Sequence, residues 1–236
     1  MGWSWYLAND MQFYVISPLF LITLWRWPKF GYSVIGLFFC ITFTTNFAIT
    51  YEYNVVAGLG KVIEQAHNFG DFIFRATDFF DLIYHKPYNR IGPYLIGVLL
   101  AYYFYKRKQN NAPKLKLVSL TTGWIIAACV ALTCQFSLFH ENFSRVETSF
   151  YNALSRSGFA CGVAWVIFVC VTGQGGVVNR VLSWKVWIPF SRLTYCAYLV
   201  HPIIHNAFFV SVKRLMEFSH TNMVSMVLYI LNILFI

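Results

Sequence analysis

Residues 86–108 read KPYNRIGPYLIGVLLAYYFYKRK, an uncharged run with Arg90 at its front edge and Lys106, Arg107 and Lys108 at its rear. A helix over 91–105 carries no charge on any face and ends among Tyr102, Tyr103 and Tyr105. A helix apolar all round is either deeply buried or in lipid. A membrane span needs roughly 20 mostly apolar residues, within about 17 to 25, so this short run is decided by how many others accompany it.

Seven runs of this kind occur, at 8–25, 33–50, 91–105, 117–138, 154–172, 188–212 and 223–236. Each is predicted to be helical, because lipid offers the backbone no other partner. Hydrophobic residues make up 58% of the 236 and charged residues 11%, against roughly 25% charged in a soluble domain. That is too little charge to coat a water-facing surface. The expected fold is all-α, a polytopic transmembrane helix bundle of about seven spans. The third, fifth and seventh runs are near or below the usual length, and the chain stops inside the seventh, so a piece of a longer chain is expected.

The formal charge is +9, but the cations lie between apolar runs instead of forming a patch on a folded domain, which excludes nucleic acid as a partner. Lys106, Arg107, Lys108, Lys114 and Lys116 share one short loop without an acid, and such loops favour the cytoplasm. Arg26, Lys29, Arg180 and Lys185 fall on the same side if the helices alternate, and the nine acids fall on the other. Lys213 and Arg214 argue weakly against this. The expectation is a multi-pass protein of the plasma membrane or endoplasmic reticulum, with its N-terminus outside or lumenal and its C-terminus cytoplasmic. The outside loop at 51–90 is predicted to fold as short helices on the bundle. The sequon Asn142-Phe143-Ser144 makes Asn142 a glycosylation candidate in another outside loop.

Cys40, Cys129, Cys134, Cys161, Cys170 and Cys196 all lie in apolar runs without CxxC spacing, and are read as buried free thiols. No metal site is expected.

The stretch 191–206, SRLTYCAYLVHPIIHN, places Thr194, Tyr198, His201 and His205 at i, i+4, i+7 and i+11, one polar stripe along an apolar helix. An ionisable group at that depth marks a functional site by default, which makes His201 the one weak catalytic candidate. The competing reading is a structural contact to a neighbouring helix, the commoner use of such groups. Arg90, Arg156 and Arg192 are candidate anion contacts, against the alternative that Arg156 and Arg192 snorkel to the interface. Asn9, Asp10 and Gln12 either face a cavity, or Asp10 caps the first helix, which is the favoured reading. GQGG at 173–176 is read as a helix stop.

YLANDMQFYVISPLF at 6–20, KPYNRIGPYLIGVLLAYYFYK at 86–106, LSRSGFACGVAWVIFVC at 154–170 and FSRLTYCAYLVHP at 190–202 resemble the nose resistant to fluoxetine branch of the membrane acyltransferase type 3 family. The resemblance spreads along the whole chain, so residues 1–236 are expected to form part of the family's transmembrane domain, with early helices missing. It implies transfer of an acyl group, other than an amino-acyl group, from a donor such as acyl-CoA to a lipid or other hydroxyl acceptor. Membrane lipids, the acyl donor and a hydrophobic acceptor or cargo are the implied partners, and no bound cofactor is implied.

The family's catalytic His and arginine motifs lie upstream of anything matched here, so no residue inherits those roles and the chain alone is expected to be inactive. His201 matches the late YLxHP-type motif through Tyr198, Leu199, His201 and Pro202. A transporter of lipids or hydrophobic small molecules on the same fold is the alternative. A seven-helix receptor ranks below both, for want of DRY, of NPxxY and of a cysteine in an outside loop.

Overall fold

The structure, a computed structural model, describes residues 5–53, 55, 77–110, 113–137 and 144–211. The regular elements among them are helical throughout: α1 (Trp5–Arg26), α2 (Pro28–Tyr53), a π-helical turn (Phe79–Tyr84), a 3-10 turn (Pro87–Asn89), α3 (Ile91–Gln109), α4 (Leu117–Phe136), α5 (Arg145–Val171), α6 (Gly176–Leu182) and α7 (Trp187–Ser211). Two compact units result, Met1–Gly176 and Val177–Ile236.

In the first unit α5 packs against α2, α3 and α4, while α1 packs against α2 and α3. The start of α5 is fixed locally. The Ser144 hydroxyl accepts the Glu147 N–H at 3.3 Å, and the Glu147 carboxylate accepts the Ser144 N–H at 2.8 Å, a reciprocal cap of the kind that contributes about 1 kcal/mol. Its end is fixed by Gly173 and Gly176, whose φ of 73° and 50° no ordinary residue adopts cheaply, as the GQGG reading expects.

Close approach between α5 and its neighbours follows from small side chains. A Cβ added at Gly162 would lie 3.3 Å from the Ala127 carbonyl of α4. One added at Gly92 of α3 would meet the Ser157 hydroxyl of α5 at 2.5 Å. Gly158 and Gly162 form the G-x-x-x-G spacing that lets membrane helices touch through their backbones. Phe13, Phe20, Leu24, Ile35, Leu95 and Val98 close the core between α1, α2 and α3.

Apolar side chains also cover the outside of the unit. On α4 only Ala127 is buried, and Ile125 and Ile126 are 63% and 64% exposed. Water does not favour such a surface, whereas lipid does. The chain is a membrane-associated helical protein.

Among the described residues four helices, not the expected seven, are long and apolar enough to cross a membrane: Trp5–Arg26, Pro28–Tyr53, Leu117–Phe136 and Arg145–Val171. The 19 residues of α3 include Lys106, Arg107 and Lys108 in its last turn, too much charge for so short a span. Many side chains of α7, among them His201, His205 and Asn206, lie outside the described residues, so α7 is not counted among the four. The seventh run lies outside the described residues, as does most of the loop 51–90. Of its described residues, Tyr51, Glu52 and Tyr53 belong to the end of α2, so the loop starts later than expected, and the stretch 77–90 contains the π-helical and 3-10 turns.

The cysteines correct a second expectation. All six are free, but Cys40, Cys129, Cys161 and Cys196 are exposed and Cys134 and Cys170 half-buried. In a bundle whose apolar residues face outward, an apolar setting for a thiol does not require the protein interior.

Gly162→Leu is expected to lower the thermal midpoint in detergent, through overpacking that costs about 1–3 kcal/mol. Gly97→Leu is the control, because nothing lies within 4 Å of a Cβ there. Equal midpoints for the two variants would remove the close α4–α5 contact from the description of the fold.

Candidate functional site: an arginine pair at one end of the bundle

The segment before α3 is braced by its own side chains. The Asn89 amide donates to the Ile83 carbonyl at 2.9 Å, the Tyr88 hydroxyl donates to the Leu82 carbonyl, and the Asn9 amide of α1 donates to the His85 carbonyl at 3.0 Å. Burial pushes the Tyr88 phenol above its usual pKa, so it remains a neutral donor. Asn9 is buried while Asp10 and Gln12 are exposed. Asp10 sits beyond the first turn of α1, which contains no acid. The helix-capping reading of Asp10 is therefore corrected, and Asn9 is the residue that faces inward.

This bracing presents Tyr84 and Arg90 to α5. The Arg90 guanidinium carbon lies 5.1 Å from the ring centre of Trp5 and 5.1 Å from that of Tyr84. The Arg156 guanidinium carbon lies 5.9 Å from the same Tyr84 ring. Two cations thus share one aromatic ring, and both line a cavity of about 510 Å³ with Tyr151, Ser155, Cys134 and Gln135. Arg90 Nε and Arg156 Nη1 are buried with no hydrogen-bond partner.

Among the described residues no carboxylate lies within ion-pair distance of either arginine; the ion pair found there is His85 with Asp81, at 3.9 Å. Arg156 faces this cavity in place of the outward snorkelling that sequence alone favours. A second cavity of about 770 Å³ shares Cys134, Tyr151 and Ser155 with the first, and continues past Ser157 to the apolar side chains of Phe39, Leu99 and Val130. The Tyr151 hydroxyl donates to the Cys134 carbonyl at 2.9 Å, which ties α5 to α4 where the two cavities meet.

The other candidates, Asn142 apart, belong to the second unit. Thr194, Tyr198, His201 and His205 lie on α7 of the second unit. Thr194 is exposed and its hydroxyl donates to the Phe190 carbonyl at 2.8 Å. Arg192 on the same helix is exposed. The side chains of His201 and His205 lie outside the described residues, as does Asn142.

Polar residues of α2 were missed from sequence. Thr42, Asn46 and Thr50 are buried, the Asn152 amide approaches the Thr50 hydroxyl at 3.5 Å, and Asn46 Oδ1 has no hydrogen-bond partner. Their i, i+4, i+8 spacing inside an apolar helix was the available signal.

The sequence model of the acyltransferase domain matches residues 1–236. The chain belongs to the membrane acyltransferase type 3 family. It is 29% identical over 247 aligned positions to nose resistant to fluoxetine protein 6 of Caenorhabditis elegans, covering 100% of this chain and 29% of that protein. It is 25% identical over 219 positions to regulator of hypoxia-inducible factor 1 of the same organism, covering 87% of this chain and 41% of that protein. The chain thus spans less than half the length of these curated relatives. No solved structure matches it. An arginine pair with no carboxylate beside it among the described residues, next to a largely apolar cavity, is chemistry suited to an anionic ligand with an apolar tail.

Two like charges with no carboxylate beside them among the described residues destabilise an unliganded fold. Arg156→Met, which keeps the apolar stem, is therefore expected to raise the thermal midpoint by about 2–4 °C. The same change is expected to abolish the further rise that an anionic single-chain amphiphile gives the parent protein. A lower midpoint in Arg156→Met would mean that Arg156 is held by packing alone.

Proposed function

We propose that this chain forms the part of a membrane acyltransferase that holds the acceptor, and that the reaction is transfer of an acyl group from acyl-CoA to a hydroxyl of a lipid. The observation that carries the reading is the pairing of Arg90 and Arg156 over one tyrosine ring, in a cavity without a carboxylate among the described residues. Guanidinium groups bind phosphate through paired charge-assisted hydrogen bonds. The pair sits at the end of the bundle away from Lys106–Lys116, the loop assigned to the cytoplasm by its charge. A cytoplasmic donor would approach the opposite end, so the pair suits the anionic group of the acceptor. The adjoining apolar cavity would take an acyl chain.

In this reading the acceptor hydroxyl attacks the thioester carbonyl, its proton passes to a base, and the thiolate of coenzyme A leaves. His201 is the candidate base from the polar stripe, since an imidazole takes up a proton near neutral pH. A carrier of hydrophobic anions is the second reading, favoured by the size of the apolar cavity.

The test uses the full-length parent with defined lipid acceptors. Arg90→Gln and Arg156→Gln are each expected to raise KM for a phosphate-bearing acceptor by roughly tenfold or more, the loss of a charge-assisted contact, with KM for acyl-CoA unchanged. Unchanged acceptor KM in both variants would overturn the assignment of the pair. Uptake of the lipid into sealed vesicles without acyl transfer would favour the carrier.

His201→Gln is expected to fold and to lose turnover. Full activity per folded molecule would remove His201 from the proton path.

A further inference from the structure

The opposite end of the first unit carries a different site. There Gln174, just past α5, is clipped to the loop before α4: its amide donates to the Leu115 carbonyl at 2.9 Å and its oxygen accepts the Leu115 N–H at 3.0 Å. This clip holds Lys114 and Lys116, the neighbours of Leu115, beside the end of α5. Arg107 from the last turn of α3 reaches the same place, donating to the Pro113 carbonyl and lying 5.5 Å from the Phe168 ring centre.

Below these cations Leu115 and Phe168 begin a cleft of about 470 Å³ that continues past Tyr103, Thr122, Ile126 and Trp165. The Trp165 ring occupies the space above Gly123, where an added Cβ would lie 2.0 Å from it. Trp165 Nε1 is buried without a hydrogen-bond partner, an unusual state for an indole donor.

The geometry points to a binding site for one anionic phospholipid of the leaflet at this end, with its headgroup among Arg107, Lys114 and Lys116 and one acyl chain in the cleft. The cleft opens sideways: Ile126 is 64% exposed and Tyr103 49%, on the surface that lipid covers. A bilayer lipid therefore enters it without leaving the membrane. Basic residues beside a cleft between membrane helices recognise anionic headgroups, each cation adding an attraction that favours anionic over zwitterionic lipid several-fold. This site shares none of the arginine pair's charged residues and stands or falls separately from the acceptor assignment.

The test reconstitutes the full chain in phosphatidylcholine vesicles containing an equal minor fraction of either chain-brominated phosphatidylglycerol or chain-brominated phosphatidylcholine, and reads quenching of tryptophan fluorescence. Brominated phosphatidylglycerol is expected to quench more, by roughly twofold or more over the zwitterionic lipid. The excess should vanish in Trp165→Phe. It should also vanish when Arg107, Lys114 and Lys116 are changed to Gln, surface substitutions that leave Trp165 in place. Equal quenching by the two lipids would overturn the site. So would an excess that survives the three Gln changes, or its displacement by long-chain acyl-CoA at concentrations matching the protein.

Discussion

The first unit depends on how closely α5 approaches its neighbours. The absent side chains of Gly162 and Gly92, and the small Ser157 beside the latter, let α5 lie against α4 on one side and α3 on another. Between membrane helices there is no hydrophobic driving force of the aqueous kind, so contact area and packing must supply the attraction. That approach sets where Arg156 can reach. It also sets the shape of each cavity, since all three are walled by α5 and α4 together.

Charge is then distributed unequally between the ends. At one end, Arg90 and Arg156 are half-buried over aromatic rings. At the other, Arg107, Lys108, Lys114 and Lys116 extend from helix ends and a clipped loop, alongside Lys106, which lies 5.4 Å from the Tyr102 ring centre. The four lysines of this group are exposed and cost little, because water and lipid headgroups solvate them, while Arg107 is half-buried against Phe168. Half-buried cations of the first kind oppose folding unless something anionic joins them. Under the proposed function an anionic ligand offsets that cost, and this geometry suits one.

Sequence legibility divided along physical lines. The helices were legible because lipid-facing composition leaves a strong linear signal: α1, α2, α4 and α5 correspond to apolar runs read directly from the chain. Arg90 and Arg156 were each marked as possible anion contacts, but their meeting was not legible. It rests on a π-helical turn that delivers Tyr84 between them and on the approach of α3 to α5, neither of which has a local signature. The buried positions Thr42, Asn46 and Thr50 were legible in principle by the spacing that exposed the stripe on α7. They were passed over because threonine in an apolar run is usually satisfied by its own helix. Thr42 and Thr50 do donate to the Phe38 and Asn46 carbonyls, at 2.8 Å each. Asp10 was read as a helix cap because sequence does not fix where a helix begins within a few residues; the residue that faces inward is Asn9, whose amide bonds the His85 carbonyl.

One measurement addresses most directly the claim that Arg90 and Arg156 form a single anion site. It is a double-mutant cycle of Arg90→Gln and Arg156→Gln on the dissociation constant of an anionic amphiphile, with all four proteins purified and confirmed folded. Two cations that hold one anion are coupled, and the expected interaction energy is about 1 kcal/mol or more. Losses that add within about 0.5 kcal/mol would show two independent arginines and contradict the shared site.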